Sequence, residues 1–260
     1  MSNFYHYNNI YLFFFAKDTL MAELKKLHID TPNNRYEERD LGTWSSVSDV
    51  DAFMKAYNHD NNYEGLSLGN YVTILDGTYN AQWMIAGFDT EYNKGIPATG
   101  YGITFIPKAI LFSAPMNDTA TTVGGYFGSK MHTTTLPAIA NILKGVLGDH
   151  LVNRPIQVTN AINGNEASST IWTTAYLSLM SENQVYGSRI YGSKFCSGEA
   201  TTILPLFNEI RFNQFSIYPG YWLRAVVSAT QFAGAGYVGY ATYDPANYEL
   251  GAVRPLMYIS

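Results

Sequence analysis

Several stretches of this chain come near to patterns that do chemistry. Gly124 to Met131 (GGYFGSKM) has the glycines and the lysine of a phosphate-cradling loop. Its spacing fails: such a loop sets its glycines further apart and follows its lysine with Ser or Thr, whereas Lys130 precedes Met131. A turn ahead of a helix is the expected role. Asp149 and His150 are adjacent, as an acid–base pair could be, but they follow an apolar stripe. A cation at a helix C-terminus explains His150 without any reaction. Cys196 is the single cysteine, which excludes an intrachain disulfide. A nucleophilic thiol needs a neighbouring base, and the five histidines are scattered, so a packed thiol is the simpler expectation. Glu182 and Arg189 suggest an ion pair, either buried or at a rim. His59 sits in a polar stretch with no set of metal ligands around it. No HExxH, GxSxG or paired-cysteine pattern occurs. The residues point to no enzyme, no cofactor and no metal.

Recognition chemistry is better represented. The chain has 260 residues, 47% of them hydrophobic and 14% charged, so it can bury a core and is not of disordered composition. Tyrosine is abundant, at 21 residues. It contributes contact area at low entropic cost and keeps a polar tip, which suits binding or assembly surfaces. A β-rich fold would also enrich it. The net charge is −5, and the densest basic stretch, Arg35 to Arg39, is broken by Glu37 and Glu38. Nucleic acid is therefore not the expected partner. The apolar run Ile10 to Ala16 is too short to span a bilayer and lacks the flanks of a signal peptide. The expectation is a protein made in a cytoplasm, without a membrane segment.

The elements that would position these residues follow from periodicity. Residues 1–9 read as an aromatic arm, with Tyr5 and Tyr7 as assembly contacts, and Ile10 to Phe15 as a short strand that adds Phe13 and Phe15. Asp18 could cap a short helix carrying Leu20, Leu24 and Leu27. The charged stretch from Asp30 to Gly42 reads as a linker or exposed loop. A helix is expected from an N-cap at Ser48, with Val50, Phe53, Met54 and Tyr57 on one face. Leu68 to Leu75, an Asp76-Gly77 turn and Gln82 to Phe88 read as a hairpin with Trp83 as a core anchor. Gly100 to Leu111 reads as another buried strand. A cap at Thr133, Thr134 or Thr135, Pro137 in the first turn, a stripe of Ile139, Ile142, Leu143, Val146 and Leu147, and a stop at Gly148 define the clearest helix. Asn153 to Ser169 reads as a long loop or weakly paired hairpin, and Ile171 to Leu177 as a strand. The segment around Phe207, Ile210, Phe212 and Phe215 has no clear period. Tyr221 to Val227 and Gly251 to Ile259 read as core strands around a Gly/Ala/Tyr-rich display segment.

Several of these stretches, in order, resemble C-type-lectin-like domains of phage and prophage virion proteins, relatives of the variable proteins of diversity-generating retroelements. The resemblance rests on Leu68 to Ile74 (LGNYVTI), Trp83 to Asp89 (WMIAGFD), Gly124 to Met131 leading into the helix at Leu136, Leu179 to Gly187 (LMSENQVYG), Tyr221 to Arg224 (YWLR) and Gly251 to Pro255 (GAVRP). It covers about Leu66 to Ser260. It implies an α+β fold: a C-type-lectin-like domain over 66–260, with a twisted, mostly antiparallel sheet and one or two packed helices, after an N-terminal attachment extension over 1–65. In that family the last strands hold a variable, ligand-facing segment on a rigid frame. By position this is Gln231 to Tyr248, with Tyr237, Tyr240, Tyr243, Asn247 and Tyr248 as ligand contacts. Trp83, Trp222, Arg224 and Arg254 would belong to the frame. The segment here is rich in Gly and Ala, and the Glu-Pro-Asn or Gln-Pro-Asp tripeptides of calcium-dependent sugar binding are absent. Formylglycine-generating enzymes share the fold but use paired cysteines, which a lone Cys196 cannot supply.

The resemblance implies a non-enzymatic virion structural protein that displays the domain on the particle, as a capsid decoration or for binding the host surface. Its partners would be capsid or tail proteins and a host-surface glycan or protein, with the chain present as a homo-oligomer or in many copies. The alternative is a bacterial cell-surface adhesin or variable ligand-binding protein.

Overall fold

The computed structural model describes residues 35–57, 63–95, 98–161, 167–192, 202–210 and 220–260. Tyr5, Tyr7, Phe13 and Phe15, the expected helix behind Asp18, His59, Cys196, Phe212 and Phe215 lie outside them. The fold is α+β, with mostly antiparallel sheets and few helices.

Strand β1 (Asp40–Trp44) and helix α1 (Val47–Tyr57) come first. β1 corrects the expectation of a linker up to Gly42. Only Trp44 of its residues is buried, so the strand carries no alternating signal. α1 begins two residues earlier than a cap at Ser48 would place it. Asp49 does the capping, because its carboxylate accepts the backbone N–H of Ser45 (2.8 Å) and Ser46 (2.9 Å). These hydrogen bonds to the ionised form hold the Asp49 carboxyl below its ordinary range.

The main sheet adds β2 (Tyr71–Ile74), β3 (Ala81–Phe88), β4 (Ile103–Pro107), β8 (Leu177–Ser178) and β13 (Leu256–Ile259). Its order is β1-β2-β3-β4-β13-β8, with β1 parallel to β2 and the other pairs antiparallel. The last strand of the chain thus lies between β4 and β8. β1, N-terminal to residue 65, is built into the same sheet as the strands that follow. The β2–β3 connection is longer than a two-residue turn. Asp76 Oδ1 organises it by accepting the N–H groups of Thr78 (2.8 Å) and Tyr79 (2.7 Å).

Helix α2 (Leu136–Leu147) buries Leu136, Ile139, Ala140, Leu143, Val146 and Leu147 against α1 and β8. Each large apolar side chain contributes about 1.5–3 kcal/mol before entropy is deducted. Pro137 lies in the first turn as expected, but none of the three threonines caps the helix with its side chain. A π-helical turn over Met131–Thr135 runs directly into α2 instead. Gly148 ends it with a left-handed φ of +57°. Of the two readings of the polar stretch after Asn153, loop or hairpin, the hairpin holds: β6 (Arg154–Ala161) pairs antiparallel with β7 (Ala167–Ala175). Short helices α3 (Glu182–Tyr186) and α4 (Pro205–Glu209) follow. α3 has a full capping box between Ser181 and Gln184.

A separate three-stranded sheet, ordered β11-β10-β9, precedes the last two strands. It comprises β9 (Gly220–Val226), β10 (Gln231–Gly236) and β11 (Ala241–Pro245). β12 (Ala252–Val253) then pairs with β5 (Phe112–Ser113). Among the described residues, no helix is long and apolar enough to cross a membrane.

A candidate binding face

The frame under the expected display segment is buried throughout. Every residue of β9 is buried, and Trp222 Nε1 donates to the Ala114 carbonyl at 2.9 Å. Gly251 makes room for that indole, because a Cβ there would lie 2.0 Å from Trp222 Nε1. Arg254 is fully buried. Its Nε donates to the Pro107 carbonyl at 2.8 Å, and its guanidinium lies over the Tyr221 ring at 5.2 Å. Arg224, also buried, donates to the Leu179 carbonyl at 3.2 Å and so ties β9 to the chain ahead of α3. Trp83 is buried in the main sheet. All four expected frame residues therefore lie inside.

β10 is made of small residues, QFAGAG, and is buried along almost its whole length. At Gly236 the absence of a side chain leaves room for the Tyr240 ring, since a Cβ there would lie 2.7 Å from it. The chain turns immediately afterwards. Gly239 N–H donates to the Gly236 carbonyl at 2.8 Å, and Gly236 N–H donates to that of Tyr240 at 2.7 Å. Gly239 has a left-handed φ of +81°. This tight turn pushes Tyr237 (48% exposed) and Val238 outward, with Tyr240 (52% exposed) behind them. The Tyr237 and Tyr240 rings meet edge-on, with centroids 6.3 Å apart.

Tyr243 projects from β11, half-exposed. Asn247, Tyr248 and Leu250 lie on the loop back to β12, and all are exposed. That loop is held by Ala246, whose N–H donates to the Thr230 carbonyl (2.8 Å) and whose carbonyl accepts from Asn117 (2.9 Å). The cavity beneath, between Trp222, Tyr248 and Leu250, is only about 30 Å³. It is water-sized. The face presents side chains that can press against a partner. Asp244 lines that cavity, and burial raises its carboxyl above the ordinary range.

One contributor comes from elsewhere in the chain. Tyr191 and Ile190, both exposed, lie on the loop after α3, and the Tyr191 ring packs edge-on against Tyr243. The buried Glu182 carboxylate shapes the loop by accepting the N–H groups of Ile190 (3.0 Å), Tyr191 (2.9 Å) and Gly192 (2.9 Å). Arg189 donates to the Gly192 carbonyl at 2.9 Å. Glu182 is thus an anchor for backbone amides, where the sequence suggested an ion pair with Arg189. The signal for Tyr191 was slight: an aromatic between glycines, outside any helical or strand period.

The near-catalytic patterns have structural roles. His150 bridges Asp51 (Nε2 to Oδ1, 2.7 Å) and the Ser260 carbonyl (2.8 Å from Nδ1), joining α1 to the end of the chain. Gly124 and Gly125 have left-handed φ values and let the loop pack against the β6 backbone, since a Cβ on Gly125 would lie 2.2 Å from the Thr159 carbonyl oxygen. Lys130 pairs with Asp118. Among the described residues, no group of three His, Cys, Asp or Glu is placed to hold a metal ion.

Comparisons with protein-family models, curated proteins and solved structures returned no match for this chain.

Proposed function

We propose that this chain is a non-enzymatic structural protein of a bacteriophage or prophage particle, displaying a C-type-lectin-like domain outward as a capsid decoration or for binding the host surface. The observation that carries this reading is the contrast between β9–β10 and the residues they present. A frame buried along almost its whole length holds Tyr237, Tyr240, Tyr243 and Tyr248 half in solvent, joined by Tyr191. Exposed tyrosines on a rigid support suit recognition of another macromolecule, because little side-chain entropy is lost on contact. The ordered resemblance from Leu68 to Pro255 supports the particle setting. Other virion proteins would hold the chain, in an oligomer or in many copies, with the stretch before Asp40 as its attachment.

The test is density-gradient sedimentation of particles from the producing strain, followed by peptide mass spectrometry of each fraction. The chain should band with intact particles at a stoichiometry of several copies or more. Its recovery only from cell envelopes, with particles free of it, would favour the surface-adhesin alternative and overturn this reading.

A further inference from the structure

β7 (ASSTIWTTA) is the longest of the described strands, at nine residues, and it contains neither a charge nor a proline. Fully extended it runs about 30 Å. The far side of its partner β6 is closed, because Gly124 N–H donates to the Ala161 carbonyl at 2.6 Å and β6 packs on β9. The far side of β7 is open. Among the described residues β7 pairs with β6 alone. Residues 170–174 are all at least partly exposed, and Trp172 is 55% exposed, whereas Trp44, Trp83 and Trp222 are buried.

The register says which backbone groups face outward. Pro155 stands opposite Thr174 and has no N–H to give, so this pair takes a position in the ladder where no hydrogen bond is exchanged. By the alternation of an antiparallel pair, Trp172 and Thr170 share that position, and these three residues turn their N–H and C=O groups away from β6. Their side chains also share one face of the hairpin. The other edges are guarded in ways that β7 is not. β8 is two residues long, β1 carries Asp40, and β11 has five residues ending in Asp244 and Pro245. Short length, charge and proline are the usual devices that keep a strand edge from pairing with another chain.

We propose that β7 is the docking edge for a second copy of this chain, the two β7 strands pairing antiparallel about a twofold axis at Trp172 to give a continuous sheet β6-β7-β7-β6. The strand is its own complement in this register. Each outward N–H meets an outward C=O, Thr170 lies opposite Thr174 of the other copy, and the two exposed indoles meet on one face as a cross-strand aromatic pair. The whole chain carries a net charge of −5, but β7 brings none of it to the axis, so like charges are not pressed together there. Because the outer side of β6 is covered, the pairing closes at two copies. This inference gives the multi-copy part of the proposed function a surface, and it does not rest on the tyrosine face or on the particle.

The test is sedimentation velocity of the purified full chain from micromolar to several hundred micromolar, with hydrogen exchange measured at both ends of the range. A discrete species of twice the 29.0 kDa chain mass should grow with concentration, and the amides of Thr170, Trp172 and Thr174 should become protected as it does. Trp172→Lys sets lysine opposite lysine at the axis and should weaken association by roughly tenfold or more at an unchanged melting temperature. Trp172→Glu should do the same alone. An equimolar mixture of the two variants should associate again, since opposite charges then stand face to face, and a role of Trp172 in folding alone would give no such rescue. A chain that stays monomeric throughout would overturn the proposal, as would a dimer that survives Trp172→Lys or a mixture that does not associate. Tyr237→Ser should leave association unchanged, so failure here and failure of the display reading are separable.

Discussion

The Tyr191 ring stands edge-on to the Tyr243 ring, with centroids 5.1 Å apart and planes at 80°. This contact joins a loop after α3 to strand β11 across more than fifty residues of sequence. Edge-to-face pairs contribute about 0.5–1.5 kcal/mol beyond area burial, so the two segments support one another as a single face. Backbone anchoring of one partner fixes the other.

Glu182 supplies that anchoring. Glu182→Ala removes a buried carboxylate that accepts three backbone N–H groups and strands those donors. Destabilisation of about 3 kcal/mol is expected in urea unfolding, with new proteolytic cleavage at residues 188–192. Glu182→Gln, which keeps an acceptor, should cost less.

Gly251→Ala places a methyl group where the Trp222 indole lies and forces that ring from its hydrogen bond with Ala114. The expected cost is about 2–4 kcal/mol, read as a lower melting temperature and a change in near-ultraviolet circular dichroism.

Leu143→Asp buries a carboxylate on the inner stripe of α2, where Leu143 is 1% exposed. A loss above about 4 kcal/mol is expected, enough to prevent folding. A normal melting curve would contradict the packing described for this helix.

His132 gives the stability a pH dependence. Burial, and then the Arg224 charge, lower its pKa in the folded protein below the unfolded value of about 6.5. Its ring packs against Tyr126 and Phe127, with centroids 5.1 and 6.0 Å away. The neutral form is therefore favoured by folding. This contribution is full above the unfolded pKa and is lost as pH falls through the folded one. The melting temperature should drop more between pH 7 and pH 5 for the wild type than for His132→Gln.

Tyr237→Ser combined with Tyr240→Ser should leave stability within about 1 kcal/mol, because both rings lie half in solvent. Attachment of particles or purified chain to host cells should fall by roughly tenfold if the face engages the host.

The sequence allowed α2, the β2–β3 pair and the final strands to be read because their apolar residues recur at periods that burial imposes. β1 was illegible for the opposite reason: only Trp44 of its five residues is buried, with Leu41 half-buried, and the Asp30 to Gly42 charges resemble a linker. The β6–β7 hairpin could be read only as an alternative to a loop, because Asn, Ser and Thr are polar while threonine and valine favour strands. Four tyrosines of the face could be named only through the resemblance, which implies a ligand-facing segment at Gln231 to Tyr248; composition alone does not separate them from Phe232 of the same stretch, which is buried. Tyr191 could not, because its position depends on a carboxylate binding three amides, which no spacing announces. Trp172 was visible only as one residue of a strand. Its exposure depends on which side of a two-stranded hairpin remains uncovered.

The central claim is that the tyrosine face looks outward from an assembled particle. The direct measurement is immunogold electron microscopy of intact particles with an antibody raised against the turn at residues 236–240. Gold on undisrupted particles is predicted: over heads for a decoration protein, or at tail tips for host attachment. Intact particles that stay unlabelled, and label only after disruption, would contradict outward display.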